Sequence, residues 1–444
     1  MDQFLHVGID DTDSPRRGCT TYIAALLVEK LCRIGLHFTD YPYLVRLNPN
    51  VPWKTRGNGA VCLRVDGSKE AIEEVQDATI EVVEDESDLQ YRGTDPGVVF
   101  LYEKKVPSKI QDFAQRTITD IVSRKEALTL IKEFKAEAFA FKEGRGVVGA
   151  LAAIGEQLQG DHTYEYIAYR TREERGTPRR VDDESVLKMD AKLGELTFNN
   201  VDLANKRILI TPRGPDPVLF GVRGETTEAV REAGDIVKAL EDVERWVIFK
   251  TNQGTDAHLR RVENIKQVQP HKPVIVTGTV TRKPVTIPVR HLIFSIEDET
   301  GSIDCAAYEP TKKFRNIIRK LIPGDVVETY GGVRPASPNY PLTINLEKID
   351  VISLSPKVVF RSPKCSECGK TMTSMGKKKG YRCEKCGFRD SKARRQETKV
   401  DRNLSTGLYL PPLSAHRHLT KPLSRYGREK SAFTSEFIER WHHP

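Results

Sequence analysis

No stretch of this 444-residue chain approaches the run of about 18 apolar residues that a membrane-spanning helix needs. The longest soft run, Val147 to Ile154, is far too short. The first residues, Met1-Asp2-Gln3-Phe4, lack a basic stretch leading into an apolar core, so no secretory leader is expected and the expected compartment is the cytoplasm. Cysteine is scarce, with eight residues, and Cys19, Cys32, Cys62 and Cys305 are scattered; a disulfide scaffold is not expected. A hydrophobic share of 38% beside 30% charged residues excludes a disordered chain, and the length suits roughly three or four domains.

The charge is unevenly placed. From Lys357 onward there are 21 Lys/Arg against 8 Asp/Glu, a balance of +13, which leaves 49 against 54, or −5, in the residues before it. A basic tail on a mildly acidic body points to a polyanion held by the tail and chemistry done elsewhere; a merely solvated tail is the plain alternative.

The first 130 or so residues alternate strand patterns (4–9, 41–47, 60–65, 79–84, 97–103) with helix patterns (20–34, 68–77, 108–132), as an α/β or α+β unit does. A second unit is expected from about Ala136. There Gly144-Arg145-Gly146-Val147-Val148-Gly149 matches G-x-G-x-x-G, but no wound parallel sheet follows. Those glycines are therefore expected to allow close strand-to-helix packing. Patterns at 164–170, 206–211, 217–222, 225–240 and 245–251 continue in a ferredoxin-like order. The charged segment Arg172–Asp183 fits no motif and reads as a linker or gating loop.

Between 270 and 353, strands at 274–280, 290–297, 301–308, 326–333 and 343–351, with a helix pattern at 312–321 between the third and fourth, give the layout of an OB-fold. Such barrels bind oligonucleotides. Cys365 and Cys368, then 14 intervening residues, then Cys383 and Cys386 form two CxxC knuckles suited to a closed, structural four-thiolate zinc site. Lys377, Lys378 and Lys379 at the tip between the knuckles, with Tyr381, make a candidate RNA contact: three cations for phosphates and a ring for a base.

The densest chemistry lies at the start of the chain. Asp10, Asp11 and Asp13 end an apolar strand, and Gly18, Cys19, Thr20 and Thr21 lead into a helix. Crowded carboxylates have raised pKa values unless a cation joins them, and hard oxygen ligands suit Mg²⁺ held together with substrate phosphates. An acidic helix-capping turn is the bland alternative. The loop from Arg46 to Gly59 gathers Pro49, Pro52, Lys54, Arg56, Gly57 and Asn58, residues fit to approach a phosphate or nucleotide.

Taken together, Gly8-Ile9-Asp10-Asp11-Thr12-Asp13-Ser14 with Cys19-Thr20-Thr21, Arg46-Leu47-Asn48-Pro49 with Lys54 to Gly59, Gly144-Arg145-Gly146, Phe220 to Glu225, Tyr308 to Lys312 and the double CxxC resemble the archaeal tRNA 2-agmatinylcytidine synthetase (TiaS) family. The resemblance runs in order along nearly the whole chain. It implies a multidomain α+β protein: a kinase-like α/β N-terminal domain (1–134), a ferredoxin-like domain (135–265), an OB-fold β-barrel (270–354), a zinc ribbon (360–392) and a basic tail (393–444). The implied activity is an ATP-dependent ligase that joins agmatine to C2 of the wobble cytidine of the minor isoleucine tRNA with a CAU anticodon. A phosphorylated cytidine is the intermediate, ATP is also cleaved to AMP, and codon reading moves from AUG to AUA. The cofactors implied are ATP, Mg²⁺ and Zn²⁺; neither DNA nor a membrane is an expected partner.

By position, Asp10, Asp11 and Asp13 would hold Mg²⁺, with Asp11 first among them, and Thr20 aligns with a threonine that becomes phosphorylated in the family. Gly18, Thr21, Lys54, Arg56 and Asn58 are candidates for ATP and phosphate contacts. Glu225 and Asp256 are candidates for agmatine. A non-catalytic single-stranded RNA binder built on the OB-fold and ribbon is the alternative from another class, and a small-molecule kinase is a third.

Overall fold

The structure is a computed structural model that describes residues 3–55, 57–431 and 437–444. Strand Gln3–Asp10 is apolar along most of its length because helices cover both of its faces. Leu5, Val7 and Ile9 pack under helices Thr20–Arg33 and Lys69–Glu86. On the other face lies a second layer, Ser108–Thr119, Arg124–Glu133 and Val147–Gly155, over Cys62, Val99 and Leu101. The expected single helix over 108–132 is thus two, because Ser123 caps the second through its side chain. The strand expected at 79–84 is the end of helix Lys69–Glu86: Ser68 caps it, and Ile72, Val75, Thr79 and Val83 recur on its buried face at helical spacing.

The sheet between these layers does not stop where the first unit was expected to end. Its order is Glu137–Ala140, Gly97–Leu101, Gln3–Asp10, Gly59–Gly67, Tyr43–Arg46, Val243–Thr251, Thr163–Arg170, Val218–Gly224 and Thr197–Phe198, with two short flanking strands making eleven. Every ladder in it is antiparallel except one: Tyr43 and Leu44 run parallel to Lys250 and Thr251, and this pair joins the two halves. Strand Glu137–Ala140 and helix Val147–Gly155, expected to open the second unit, pack on the first. The ferredoxin-like half is instead Thr163–Arg170, helix Asp183–Leu193, Thr197–Phe198, Val218–Gly224, helix Thr227–Ile236 and Val243–Thr251, with the fourth strand beside the first.

Residues 274–353 close as a five-stranded barrel. Val274–Thr286 pairs with both Leu292–Asp298 and Val326–Arg334, and Gly301–Ala307 runs parallel to Thr343–Ser353. The OB helix is a single short turn, Phe314–Ile318, shorter than the pattern suggested. A ladder of Lys357–Arg361 with Gln396–Val400 carries the ribbon.

The basic tail is a strap rather than a free arm. Gly407–Tyr409 adds to the barrel, and His442–His443 adds to the large sheet at Trp246 and Val247. Its cations are spent internally: Arg402 on Asp325, Arg417 on Glu347, Lys421 on Asp161, and Arg425 on Asp161 and Glu225. These tail cations therefore bind the protein to itself, while most of the +13 excess, 11 Lys/Arg against 3 Asp/Glu, lies in residues 357–392 around the ribbon.

Candidate active site

Strand Gln3–Asp10 delivers Asp10 to the end of the sheet, and the chain then turns sharply, with Asp11 in the left-handed region at φ 59°. The turn is pinned by buried Asp88. Ser14 Oγ donates to its Oδ2 over 2.7 Å, and the Arg16 guanidinium reaches it with Nη2 at 2.9 Å. The same Ser14 oxygen accepts from the backbone N–H groups of Arg16 and Arg17. Gly18 closes the turn at φ 87°, where a Cβ would sit 2.7 Å from the Thr12 carbonyl oxygen. The turn itself thus requires glycine at this position. Helix Thr20–Arg33 starts here with the Thr20 and Thr12 hydroxyl oxygens 2.9 Å apart.

Helix Val147–Gly155 meets the same place from the other layer. A Cβ on Gly149 would fall 1.8 Å from Asp10 Oδ2, and one on Gly146 would fall 2.5 Å from the Asp10 carbonyl oxygen. The glycines serve close packing, as expected, and the approach they permit buries Asp10 against a helix N-terminus. Burial, reinforced by Asp11 and Asp13, raises the Asp10 pKa well above the ordinary carboxylate range. Burial also pushes Asp11 up to about 6, opposed by the Arg145 guanidinium, whose Nε and Nη2 lie 3.1 and 2.9 Å from Asp11 Oδ2. Arg145 is fixed in turn by the Gly93 carbonyl at 2.6 Å and by Asp95 at 3.3 Å. It is the cation at the acidic turn, and in the sequence it shows only as part of the glycine motif.

Between the two halves of the sheet lies a cavity of about 740 Å³. One end is acidic, with Asp10, Asp11, Asp13, Thr20 and Thr21. Lys54 and Asn58 of the polar loop also line it, and Arg56 lies outside the described residues. A cationic group, Arg46, Lys54 and Arg223, lines it together with His418, with Asp13 and Cys19 in electrostatic reach of Arg46. Arg46 Nε donates to Gln253 over 3.2 Å, Gln253 bonds Glu165, and Glu165 accepts from Arg223 Nε over 3.0 Å. Burial brings Arg46 down to about 10, and Arg46 beside His418, with burial, holds the imidazole well below its usual pKa. Both helices that start at the cavity, at Thr20 and Val147, lack a side-chain cap; at the second, the Val147 and Val148 N–H groups donate to the Gly144 and Arg145 carbonyls, so the start at Thr20 is the one suited to an anionic ligand. Asp216 lines the second half and is held by Arg179, whose guanidinium also donates to the Pro212, Gly214, Asp216 and Val218 carbonyls. The Arg172–Asp183 segment is thus a clamp on a cavity loop.

Three expectations need correction. Glu225 and Asp256 do not line the cavity. Glu225 is buried under Arg425 Nε at 2.6 Å and Lys430 at 3.3 Å, and Asp256 bonds Lys348 and the Lys421 backbone N–H. Both anchor the tail. Tyr381 sits in the ribbon core beside Met372 and Cys383, so its ring is not available to stack a base. Lys377, Lys378 and Lys379 are exposed at the hairpin tip as expected.

Cys365, Cys368, Cys383 and Cys386 converge, with their Sγ atoms all within 4.8 Å of one another. Two Sγ pairs stand at 3.5 and 3.4 Å, close to the roughly 3.8 Å that tetrahedral Zn–S bonds of about 2.3 Å require. Among the described residues no other group of three or more His, Cys, Asp or Glu converges in this way. The N-terminal aspartates are an open acidic wall, not a preformed cage.

Known proteins match the chain along its length. Family models for the TiaS TCKD domain, the TiaS FLD domain, an OB-fold nucleic acid binding domain and the TiaS C-terminal zinc ribbon domain match residues 6–143, 144–258, 265–352 and 362–404. The isoleucine-tRNA 2-agmatinylcytidine synthetase TiaS of Methanocaldococcus jannaschii is 45% identical, over 94% of this chain and 98% of the relative. That of Pyrococcus horikoshii is also 45% identical, over 94% and 96%. A crystal structure of TiaS in complex with its isoleucine tRNA and ATP superposes with a TM-score of 0.87 at 41% identity, covering 99% of this chain and 100% of the other. A complex of TiaS with the same tRNA, AMPCPP and agmatine superposes with a TM-score of 0.84 at 40% identity, covering 95% and 97%. With four domains matched in order and relatives this similar over their full length, the chain belongs to the TiaS family.

Proposed function

We propose that this protein is an ATP-dependent ligase that attaches agmatine to C2 of the wobble cytidine of the minor isoleucine tRNA, acting in the cytoplasm. The observation that carries the proposal is one cavity with an acidic, hydroxyl-lined end and a cationic end, in a chain 45% identical to named synthetases. An RNA binder without catalysis has no use for carboxylates whose pKa is raised by burial beside uncapped helix starts.

The C2 carbonyl of cytosine resists amines. Transfer of a phosphoryl group to O2 lets that oxygen leave as phosphate when the primary amine of agmatine attacks C2. Arg46, Arg223, Lys54 and the helix start at Thr20 supply donors for the phosphates, and Thr20 sits beside the aspartates with the hydroxyl that the resemblance marks for phosphorylation. The guanidinium of agmatine calls for a carboxylate, and in the second half of the cavity Asp216 is the one presented by a clamped loop. Excess negative charge at Asp10, Asp11 and Asp13 fits a magnesium ion shared with substrate phosphates, which would neutralise the charge developing there. The exposed lysines of the ribbon tip would contact tRNA phosphates.

The test is incubation with ATP, agmatine and a transcript of the CAU-anticodon isoleucine tRNA, followed by mass spectrometry of the wobble nucleoside. The expected product is cytidine heavier by one agmatine less one water. An unchanged nucleoside with all three substrates present refutes the proposal.

A further inference from the structure

The C-terminal strap enters the cavity. Of the residues that line it, His418 alone comes from beyond the ferredoxin-like half, and its partner Arg223 lies 195 residues before it. Its backbone is fixed to the 254–256 turn: the Gly254 N–H donates to the His418 carbonyl and the Asp256 N–H to that of Leu419, both over 2.8 Å. Below it, Arg425 locks the strap with bonds to Asp161, Glu225 and the Gly254 carbonyl. This anchoring is far stronger than a loose tail needs, and it fixes the height of the imidazole.

The imidazole has one defined tautomer. Arg223 Nη2 lies 3.0 Å from His418 Nδ1, and a guanidinium is only ever a donor, so Nδ1 accepts. The crowd of Arg46, Arg223 and Lys54 keeps the ring neutral. The proton must therefore sit on Nε2, whose edge faces the cavity loop at Gly57, where a Cβ would come within 3.1 Å of Nε2 and Cδ2. The same Cβ would lie 2.7 Å from Arg46 Nη1, so a side chain at 57 would crowd both donors where glycine does not.

We propose that the C-terminal strap completes the active site: His418 is a substrate-contacting residue whose Nε2–H, together with Arg46, Arg223 and Lys54, binds a phosphate group. Glu165 is already shared between Gln253 and Arg223, and Asp13 acts on Arg46 from the acidic side, so the three cations Arg46, Arg223 and Lys54 face two carboxylates before any ligand arrives. A phosphate oxygen accepts from a neutral imidazole N–H and from guanidinium and ammonium donors. The phosphate belongs either to ATP or to the tRNA backbone beside the reacting cytidine. The inference rests on the proposed activity for its substrates, but binding alone can test it.

The experiment uses the full-length protein with His418→Ala and His418→Gln. Gln keeps an N–H donor at similar reach; Ala removes it. Affinity for ATP is read by thermal shift without tRNA, affinity for tRNA without ATP by filter binding, and both by KM in the complete reaction. His418→Ala is expected to weaken one of the two ligands about ten- to a hundred-fold, the effect of one lost bond to a charged group, and His418→Gln by less than about three-fold. Weakening of ATP alone assigns the phosphate to the nucleotide, and weakening of tRNA alone assigns it to the backbone. Ala and Gln behaving alike, or neither ligand being affected, overturns the inference. If the wild-type protein makes no agmatinylated product yet His418→Ala still loses ATP or tRNA binding, the functional proposal falls and this inference stands.

Discussion

Replacing Asp11 by Asn should stabilise the protein at neutral pH while removing its activity. The Asp11 side chain is 13% exposed, so solvent screens it little, and burial lifts its pKa from 3.8 to about 6 despite Arg145. Each pKa unit is worth about 1.4 kcal/mol, so holding this group ionised in the fold costs about 3 kcal/mol. The sign follows from proton counts. Between about pH 4 and 6 the folded carboxyl holds a proton that the unfolded one has released, so wild-type stability from this group falls as pH rises through that window. Above about pH 6 the full cost is present; below about pH 4 both states are protonated and it vanishes. Asn mimics the protonated acid, and it also tolerates φ 59° well, a gain that does not depend on pH. Thermal unfolding of both proteins at about pH 7.5 and about pH 4 separates the two effects. The expected gain is roughly 5 °C at the higher pH, shrinking to the small conformational part at the lower. A gain equal at both pH values, or a destabilised variant at the higher one, would refute the electrostatic account.

Other parts of the molecule answer to similar tests. Changing Lys377, Lys378 and Lys379 together to Ala should weaken tRNA binding and reduce the slope of log affinity against log salt by about 2 to 3, with zinc content unchanged; Tyr381→Phe should leave both as they are, because its ring is buried. Gly149→Ala should cost about 1–3 kcal/mol in thermal unfolding and abolish single-turnover product formation, since the new Cβ would overlap Asp10 Oδ2. Arg179→Lys cannot reproduce a guanidinium that bonds four carbonyls, so the agmatine KM should rise about ten-fold with tRNA affinity unchanged; a fall in tRNA affinity instead would show that the loop serves the RNA.

What the sequence made legible was whatever is encoded locally. The five barrel strands, the paired cysteine knuckles and the acidic strand end each declare themselves within a few dozen residues, and each is where it was expected. Two errors are local, the strand expected at 79–84 and the single helix at 108–132, and the other misplaced features are those whose partners are distant. The ferredoxin-like order holds, but its first helix is Asp183–Leu193; Val147–Gly155 reads as that helix because nothing local says which sheet a short apolar helix covers. Glu225 and Asp256 read as ligand carboxylates because Arg425 and Lys348, which neutralise them, lie 200 and 92 residues away. Tyr381 beside three lysines looks like a stacking residue until the ribbon closes over it. Arg145 carried one missed signal: a cation between two glycines, opposite an unbalanced acidic turn, is the residue such a turn lacks.

The two ends of the cavity have different origins, and this bears on how the site comes into being. The acidic end is built from residues 10–21 and 145–149, all within the first half, and its geometry depends on glycine contacts made there. The cationic end needs Arg46 from the first half, Arg223 and Glu165 from the second, and His418 from the strap, so it exists only once the parallel pair Tyr43–Lys250 has joined the halves and Arg425 has locked the tail. Cations brought together in this way repel one another, and the links through Gln253 and Glu165 offset only part of that repulsion. The remaining excess positive charge is a cost in the free protein that a phosphate ligand removes. Under Arg425 two carboxylates, Asp161 and Glu225, meet one guanidinium directly, whereas Arg46, Arg223 and Lys54 share Glu165 and the more remote pull of Asp13; the charge left over is what marks this part of the cavity as a place for a phosphate.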